Sequence, residues 1–120
     1  MISRIAIIGS RTITNEAYVF SVLNFYLRRL LEENEVTIIS GGALGIDKIA
    51  EKFAEEKGLK TEIYKPEYDK FPPRVAPILR NQTIVENSDY LMAITTGSKG
   101  TASTIKMAEK KGIPIKIITL

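Results

Sequence analysis

The chain has 120 residues, of which 44% are hydrophobic, and carries a net charge of +3 at pH 7. That is the length of one domain, with enough apolar side chains to bury a core. The absence of cysteine and histidine excludes disulfides, thiol nucleophiles, Cys/His zinc sites and histidine-based triads.

The elements follow in order. Met1-Ile2-Ser3-Arg4 leads into a strand at about 3–9 rather than into a signal peptide. Its apolar run, Ile5-Ala6-Ile7-Ile8, stops at Gly9-Ser10-Arg11. A helix is predicted over about 14–33, with Thr14 as its cap and Glu16 in the first turn, where the dipole favours an acid. Phe20, Leu23, Leu27 and Leu30 have the three-and-four spacing of a sheet-facing stripe. Tyr18, Val22, Phe25 and Tyr26 form a second stripe. This stripe packs either against the last helix, expected on the same side of the sheet, or against a second copy in a homodimer or tetramer.

A second apolar strand, about 36–40, ends in Ser40-Gly41-Gly42-Ala43-Leu44-Gly45-Ile46-Asp47, and a helix spans about 44–57. Gly58 stands where that helix ends. The next strand, about 60–65, is half polar, as suits a sheet edge. Residues 66–77 form a long connection bearing Tyr68, Asp69, Phe71 and Arg74, a candidate lid. Tyr68 or Phe71 would stack on a base or simply cover the sheet edge. A helix over about 76–88 has Pro77 in its first turn and Arg80 and Asn81 near its start. The strand at about 89–95 runs into Thr95-Thr96-Gly97-Ser98-Lys99-Gly100-Thr101 and a helix at about 101–111. Gly112 closes that helix, and Pro114 opens the last strand, about 114–119.

Alternating strands and helices of this kind predict an α/β domain, a five-stranded, mostly parallel sheet with helices on both faces. The near-continuous apolar runs of the first, second and fourth strands place them inside, giving the order 3-2-1-4-5. Winding then reverses between the first and fourth strands, and ligands bind at the carboxyl ends of such strands. The three glycine turns converge there.

Each turn has a chemical reading and a plainer one. Gly97, Ser98, Lys99, Gly100 and Thr101 offer backbone N–H groups, hydroxyls and a flexible cation at a helix start, as a phosphate requires; alternatively, the glycines only permit close packing. The spacing is not that of a Walker loop. Arg11 would clamp a phosphate or cap a neighbouring helix. Asp47, in a first helical turn, would stabilise that helix or bind a ribose hydroxyl.

Gly-Ser-Arg after the first strand, Ser-Gly-Gly-Ala-x-Gly-x-Asp after the second, Ala-Pro-Ile-x-Arg-Asn, and Thr-Gly-x-x-Gly-Thr-Ala occur here in one order. In this the chain resembles the SLOG superfamily, the Rossmann-like group that includes the DNA-processing protein A (Smf) core and the LOG "lysine decarboxylase-like" enzymes, and most of all its YspA-like branch. The resemblance spans the whole chain. It implies a nucleotide or nucleotide-derived ligand held by Gly9, Ser10, Arg11, Gly41, Gly42, Arg80, Asn81 and residues 97–101, and it implies homo-oligomers; Ser40, Gly45, Asp47 and Thr96, in the same turns, are further candidate ligand-binding residues. LOG enzymes carry Pro-Gly-Gly-x-Gly-Thr-x-x-Glu; here Thr96, Ser98 and Thr104 stand at the proline, second-glycine and glutamate positions. The phosphate cradle persists without its catalytic carboxylate, leaving Asp47 and Asp69 as substitutes. Nucleotide binding or sensing is therefore expected first. N-glycosidic cleavage is a second possibility, and single-stranded DNA binding a third that the modest charge does not favour. No metal and no cofactor beyond a nucleotide is expected. No apolar run reaches membrane-spanning length, so a soluble, cytoplasmic protein is expected.

Overall fold

The structure, a computed structural model, describes residues 2–120; Met1 lies outside them. The elements run β1 (Ile2–Gly9), α1 (Glu16–Glu33), β2 (Glu35–Ser40), α2 (Ile46–Lys57), β3 (Lys60–Ile63), α3 (Ala76–Glu86), β4 (Tyr90–Thr95), α4 (Lys99–Lys111) and β5 (Ile115–Thr119). All pairings are parallel, in the order β3-β2-β1-β4-β5, as the apolar runs predict. The third strand is shorter than its sequence suggests, and α4 begins earlier, at Lys99.

Alternate residues of β1 supply the two halves of the core. Ile5 and Ile7 pack with Ile38, Met92, Leu23 and Phe53 beneath α1 and α2. Ala6 and Ile8 pack with Ile39, Leu91, Ile84 and Ala108 beneath α3 and α4. Each fully buried Ile, Leu or Phe contributes roughly 1.5–3 kcal/mol. Thus α1 shares its face of the sheet with α2, not with α4, correcting the expected packing of the second stripe.

Two details of α1 also differ from expectation. Asn15, not Thr14, is the cap: its side-chain oxygen accepts the Tyr18 N–H at 3.1 Å. Val19, Leu23 and Leu27 form the fully buried stripe. Phe20 and Leu30 are only partly buried. Phe20 turns towards α2 and meets Phe53 edge-on at 5.5 Å between ring centres.

Gly58 and Gly112 end α2 and α4 in the left-handed conformation, at φ 67° and 85°. Lys111 reaches from the end of α4 to cap α3, its ammonium donating to the carbonyls of Val85 at 2.9 Å, Glu86 at 2.8 Å and Ser88 at 3.3 Å. Across the sheet, Arg4 of β1 grips Glu62 of β3 through two bonds of 2.8 and 2.5 Å, and the Tyr64 hydroxyl donates to the same carboxylate at 2.6 Å. Those bonds hold the Glu62 carboxyl down at about 2. Among the described residues no helix is long and apolar enough to cross a membrane.

Candidate functional site

Because every strand points the same way, the carboxyl ends of β1, β2 and β4 meet the starts of α2 and α4 at one edge of the sheet. A cleft of about 790 Å³ opens there.

The turn after β1 forms the middle of the floor. A Cβ on Gly9 would run into the Ile94 carbonyl oxygen of β4 and lie 2.6 Å from Ile46 Cγ1 of α2. Gly9 therefore lets the end of β1 pass between two neighbours. Ser10 is buried and braces the turn: its N–H donates to Ile94 O at 3.1 Å, and its Oγ accepts the Thr96 N–H at 2.9 Å. Gly9, Ser10, Arg11 and Thr96 all line the cleft, with Arg11 exposed to solvent there.

The turn after β2 brings together an acid and a base. Gly41, Gly42 and Asp47 line the cleft. Ser40 does not: it is fully buried, donates to Glu51 Oε2 at 2.7 Å and accepts the Gly42 N–H at 3.2 Å, shaping the turn from beneath. Gly45 also lies off the cleft, at φ 77°, backed against the main chain of Ser10 and Arg11 so closely that no side chain fits. Asp47 is buried, and its Oδ2 accepts the Ala43 N–H at 3.2 Å. Burial pushes its carboxyl up to about 6, with help from the negative charge of Glu51 and against the Ala43 and Gly41 amides and the positive charge of Arg80.

Arg80 and Asn81 enter the cleft from α3. The Arg80 guanidinium donates from Nη1 to the Gly41 carbonyl at 2.5 Å and from Nε to Asn81 Oδ1 at 2.7 Å. Burial lowers its pKa, opposed by the nearby Asp47.

On the β4 side, Gly97 adopts φ 98° and spends its N–H on Thr95 Oγ1 at 2.9 Å, outside the cleft lining. The first bond of α4 runs from Ala102 N–H to Ser98 O, 3.1 Å, so the N–H groups of Lys99, Gly100 and Thr101 have no partner within the helix. Ser98, the helix cap, gives its hydroxyl to Thr101 Oγ1 at 2.8 Å instead of to the helix backbone. Ser98, Gly100, Thr101 and Thr104 line the cleft; the Lys99 side chain is exposed away from it. Thr104 is buried and donates to Gly100 O at 3.0 Å.

From the long connection, Pro66 and Tyr68 reach the cleft, Tyr68 remaining 60% exposed at its mouth. Asp69 is exposed and lies outside the lining. Phe71 lines a neighbouring recess of about 70 Å³ with Tyr64 and Leu79. Sequence reasoning missed Thr12, Ala43, Lys65 and Ile84 on the cleft wall. Lys65 had a usable signal, since it closes the segment leading out of β3 at the carboxyl edge.

Residues 3–71, more than half of the chain, match the YspA, cpYpsA-related SLOG family. No curated protein matches the chain. Among solved structures it is similar to DNA processing protein A (DprA) from Streptococcus pneumoniae, with TM-score 0.76 and 22% identity over 97% of this chain and 50% of that one. It is similar to the protein TM1055, with TM-score 0.70 and 18% identity over 94% of this chain and 72% of the other. The C-terminal domain of PF1911 hydrogenase from Pyrococcus furiosus gives TM-score 0.53 and 15% identity, covering 97% and 90%. At these identities the likeness is one of fold, and the chain spans about half the length of DprA.

Proposed function

The chain belongs to the YspA, cpYpsA-related SLOG family, and from that membership and the chemistry of the cleft we propose that it binds a nucleotide or nucleotide-derived ligand at the carboxyl edge of the sheet. One observation carries the proposal: the N-terminus of α4, with Ser98, Gly100 and Thr101, opens into the same cleft as the cations of Arg11, Lys65 and Arg80. Unpaired N–H groups and guanidinium forks are the donors that a phosphate takes up. Tyr68 at the mouth supplies an aromatic face for a base.

The function is binding or sensing rather than N-glycosidic cleavage. Loss of a base leaves oxocarbenium character that a carboxylate must stabilise. The LOG glutamate position is held by Thr104, whose hydroxyl is tied to the helix backbone. Calorimetric titration with AMP, ADP and ADP-ribose tests binding, and chromatography of the same mixtures tests cleavage. Saturable binding without free base is expected; no binding by any of the three overturns the proposal, and rapid base release overturns its non-catalytic part.

A second reading, single-stranded DNA binding, draws on Arg11, Lys65 and Arg80 standing with Tyr68 around one cleft. It requires affinity that falls steeply with salt. We also propose a homodimer through the outer face of α1, where Tyr18, Phe25 and Tyr26 are exposed.

A further inference from the structure

Among the described residues, Asp47 is the sole carboxylate on the cleft wall. It is only partly engaged. Its Oδ2 accepts the Ala43 N–H at 3.2 Å and the Gly41 amide also favours its charge, so two backbone amides serve a carboxylate that can accept about four hydrogen bonds. The nearest cation does not neutralise it directly: Arg80 gives its Nη1 to Gly41 O and its Nε to Asn81. Glu51, the other acid nearby, is occupied by the Ser40 hydroxyl at 2.7 Å and faces Lys48 at 3.4 Å.

A buried carboxylate with spare acceptor capacity needs a donor once a ligand displaces water. The surrounding charge limits which donor. Arg11, Lys65 and Arg80 share the cleft and repel an ammonium or guanidinium on the ligand. The carboxylate itself repels the ligand's phosphate. What remains is a neutral donor; with the base on Tyr68 at the mouth, the neutral donors between base and phosphate are the hydroxyls of the sugar.

We infer that Asp47 accepts a hydrogen bond from a ribose hydroxyl, so that the cleft selects phosphorylated ribosides over their deoxy counterparts. The inference rests on the nucleotide reading above and narrows it. The shared chemistry is ribose phosphate, supplied by a nucleotide or by the free sugar phosphate.

Calorimetry at pH 7.5 with AMP, 2′-deoxy-AMP, 3′-deoxy-AMP and ribose 5-phosphate tests it on the wild type and on Asp47→Asn. The Asn variant keeps the size of the side chain and its acceptor for the Ala43 N–H, and adds no charge. AMP is expected to bind roughly tenfold or more tightly than at least one deoxy form, the value of a hydrogen bond to a charged acceptor. In Asp47→Asn the preference should shrink to about threefold or less, as the bond becomes one between neutral groups. Ribose 5-phosphate binding with the same dependence on Asp47 supports the inference and identifies the free sugar phosphate as sufficient; AMP binding without it supports the inference for nucleotides. Equal affinity for AMP and both deoxy forms in wild type overturns the role of Asp47 while leaving nucleotide binding in place. An unchanged preference in folded Asp47→Asn does the same. Should that variant fail to fold, the wild-type series decides alone. Binding by none of the four overturns this inference and the nucleotide reading together.

Discussion

The Arg80 guanidinium and the Gly41 carbonyl meet at 2.5 Å, fastening α3 to the turn that follows β2. Only glycine permits the contact: a Cβ at position 41 would lie 2.7 Å from Arg80 Nη1 and 2.8 Å from Asp47 Oδ2. Gly41→Ala should therefore displace the acid and the base of the cleft together. We expect a loss of about 1–3 kcal/mol in urea unfolding, the scale of a disturbed buried polar group, and a clear loss of AMP affinity. Wild-type stability and affinity in Gly41→Ala would show that the turn relaxes without moving Arg80.

Arg11 and Lys99 separate the two cations that the sequence offers to a phosphate. Arg11 lines the cleft, whereas Lys99 extends from the start of α4 into solvent. Arg11→Ala should weaken AMP binding by about 1.5–3 kcal/mol, as for charge-assisted bonds. Lys99→Ala should change it by less than about 0.5 kcal/mol at physiological salt, because an exposed charge away from the ligand is screened. Calorimetric affinities of the two variants give the comparison, and a larger effect at Lys99 would relocate the anion to the outside of the helix start.

How much of this was legible in the sequence depends on whether a feature is local. The strand order was legible, because a strand covered on both faces is written as an unbroken apolar run. The side taken by α1 is legible in the direction of the crossovers and not in the stripes of α1 itself. The β1-to-β2 and β2-to-β3 crossovers step in one direction and the β4-to-β5 crossover in the other, so right-handedness puts α1 with α2 and α4 opposite. The glycine turns were legible as turns. Their division of labour was not: Gly9 and Gly45 serve the approach of Ile94, Ile46 and the Ser10–Arg11 main chain, residues distant in sequence. The grip of Arg4 on Glu62 spans two strand spacings and leaves no local pattern at all.

Asp47 gives the protein a pH dependence of unusual sign. Its carboxyl stands at about 6 when folded, against an ordinary 3.8, because burial disfavours the charge more than the Ala43 and Gly41 amides and Arg80 favour it, while Glu51 adds repulsion. Below about pH 4 both states hold the proton and no penalty arises. Between about 4 and 6 the unfolded chain releases it first, so the contribution of this residue to stability falls as pH rises, and it levels off above the folded value. The full penalty is about 2–3 kcal/mol at 1.36 kcal/mol per pH unit. Asp47→Asn should therefore be more stable than wild type by up to that amount in urea unfolding at pH 7.5, with the gain vanishing near pH 3.5. A variant less stable at pH 7.5 would show that the negative charge is needed to hold Arg80.

The outer face of α1 leads to a prediction about assembly. Because α4 lies on the opposite side of the sheet, it cannot cover the second stripe of α1. The stripe is also shorter than its spacing suggests, since Val22 packs partly into the core. Phe25, 69% exposed, meets Tyr26 edge-on at 4.9 Å, and the Lys116 ammonium of β5 sits 4.6 Å above the Tyr26 ring. Tyr26 is thus held in place from within, whereas Phe25, resting on its edge, and Tyr18 turn apolar surface outward for a partner. Exposed aromatic residues of this kind are the usual anchors of an interface core. Light scattering at micromolar concentration should give a dimeric mass for wild type and a monomeric one for Phe25→Glu. The variant should lose no more than about 0.5 kcal/mol of monomer stability, because an exposed position away from caps and core tolerates exchange. A monomeric wild type overturns the homodimer, and a dimer that survives Phe25→Glu moves the interface off this face of α1.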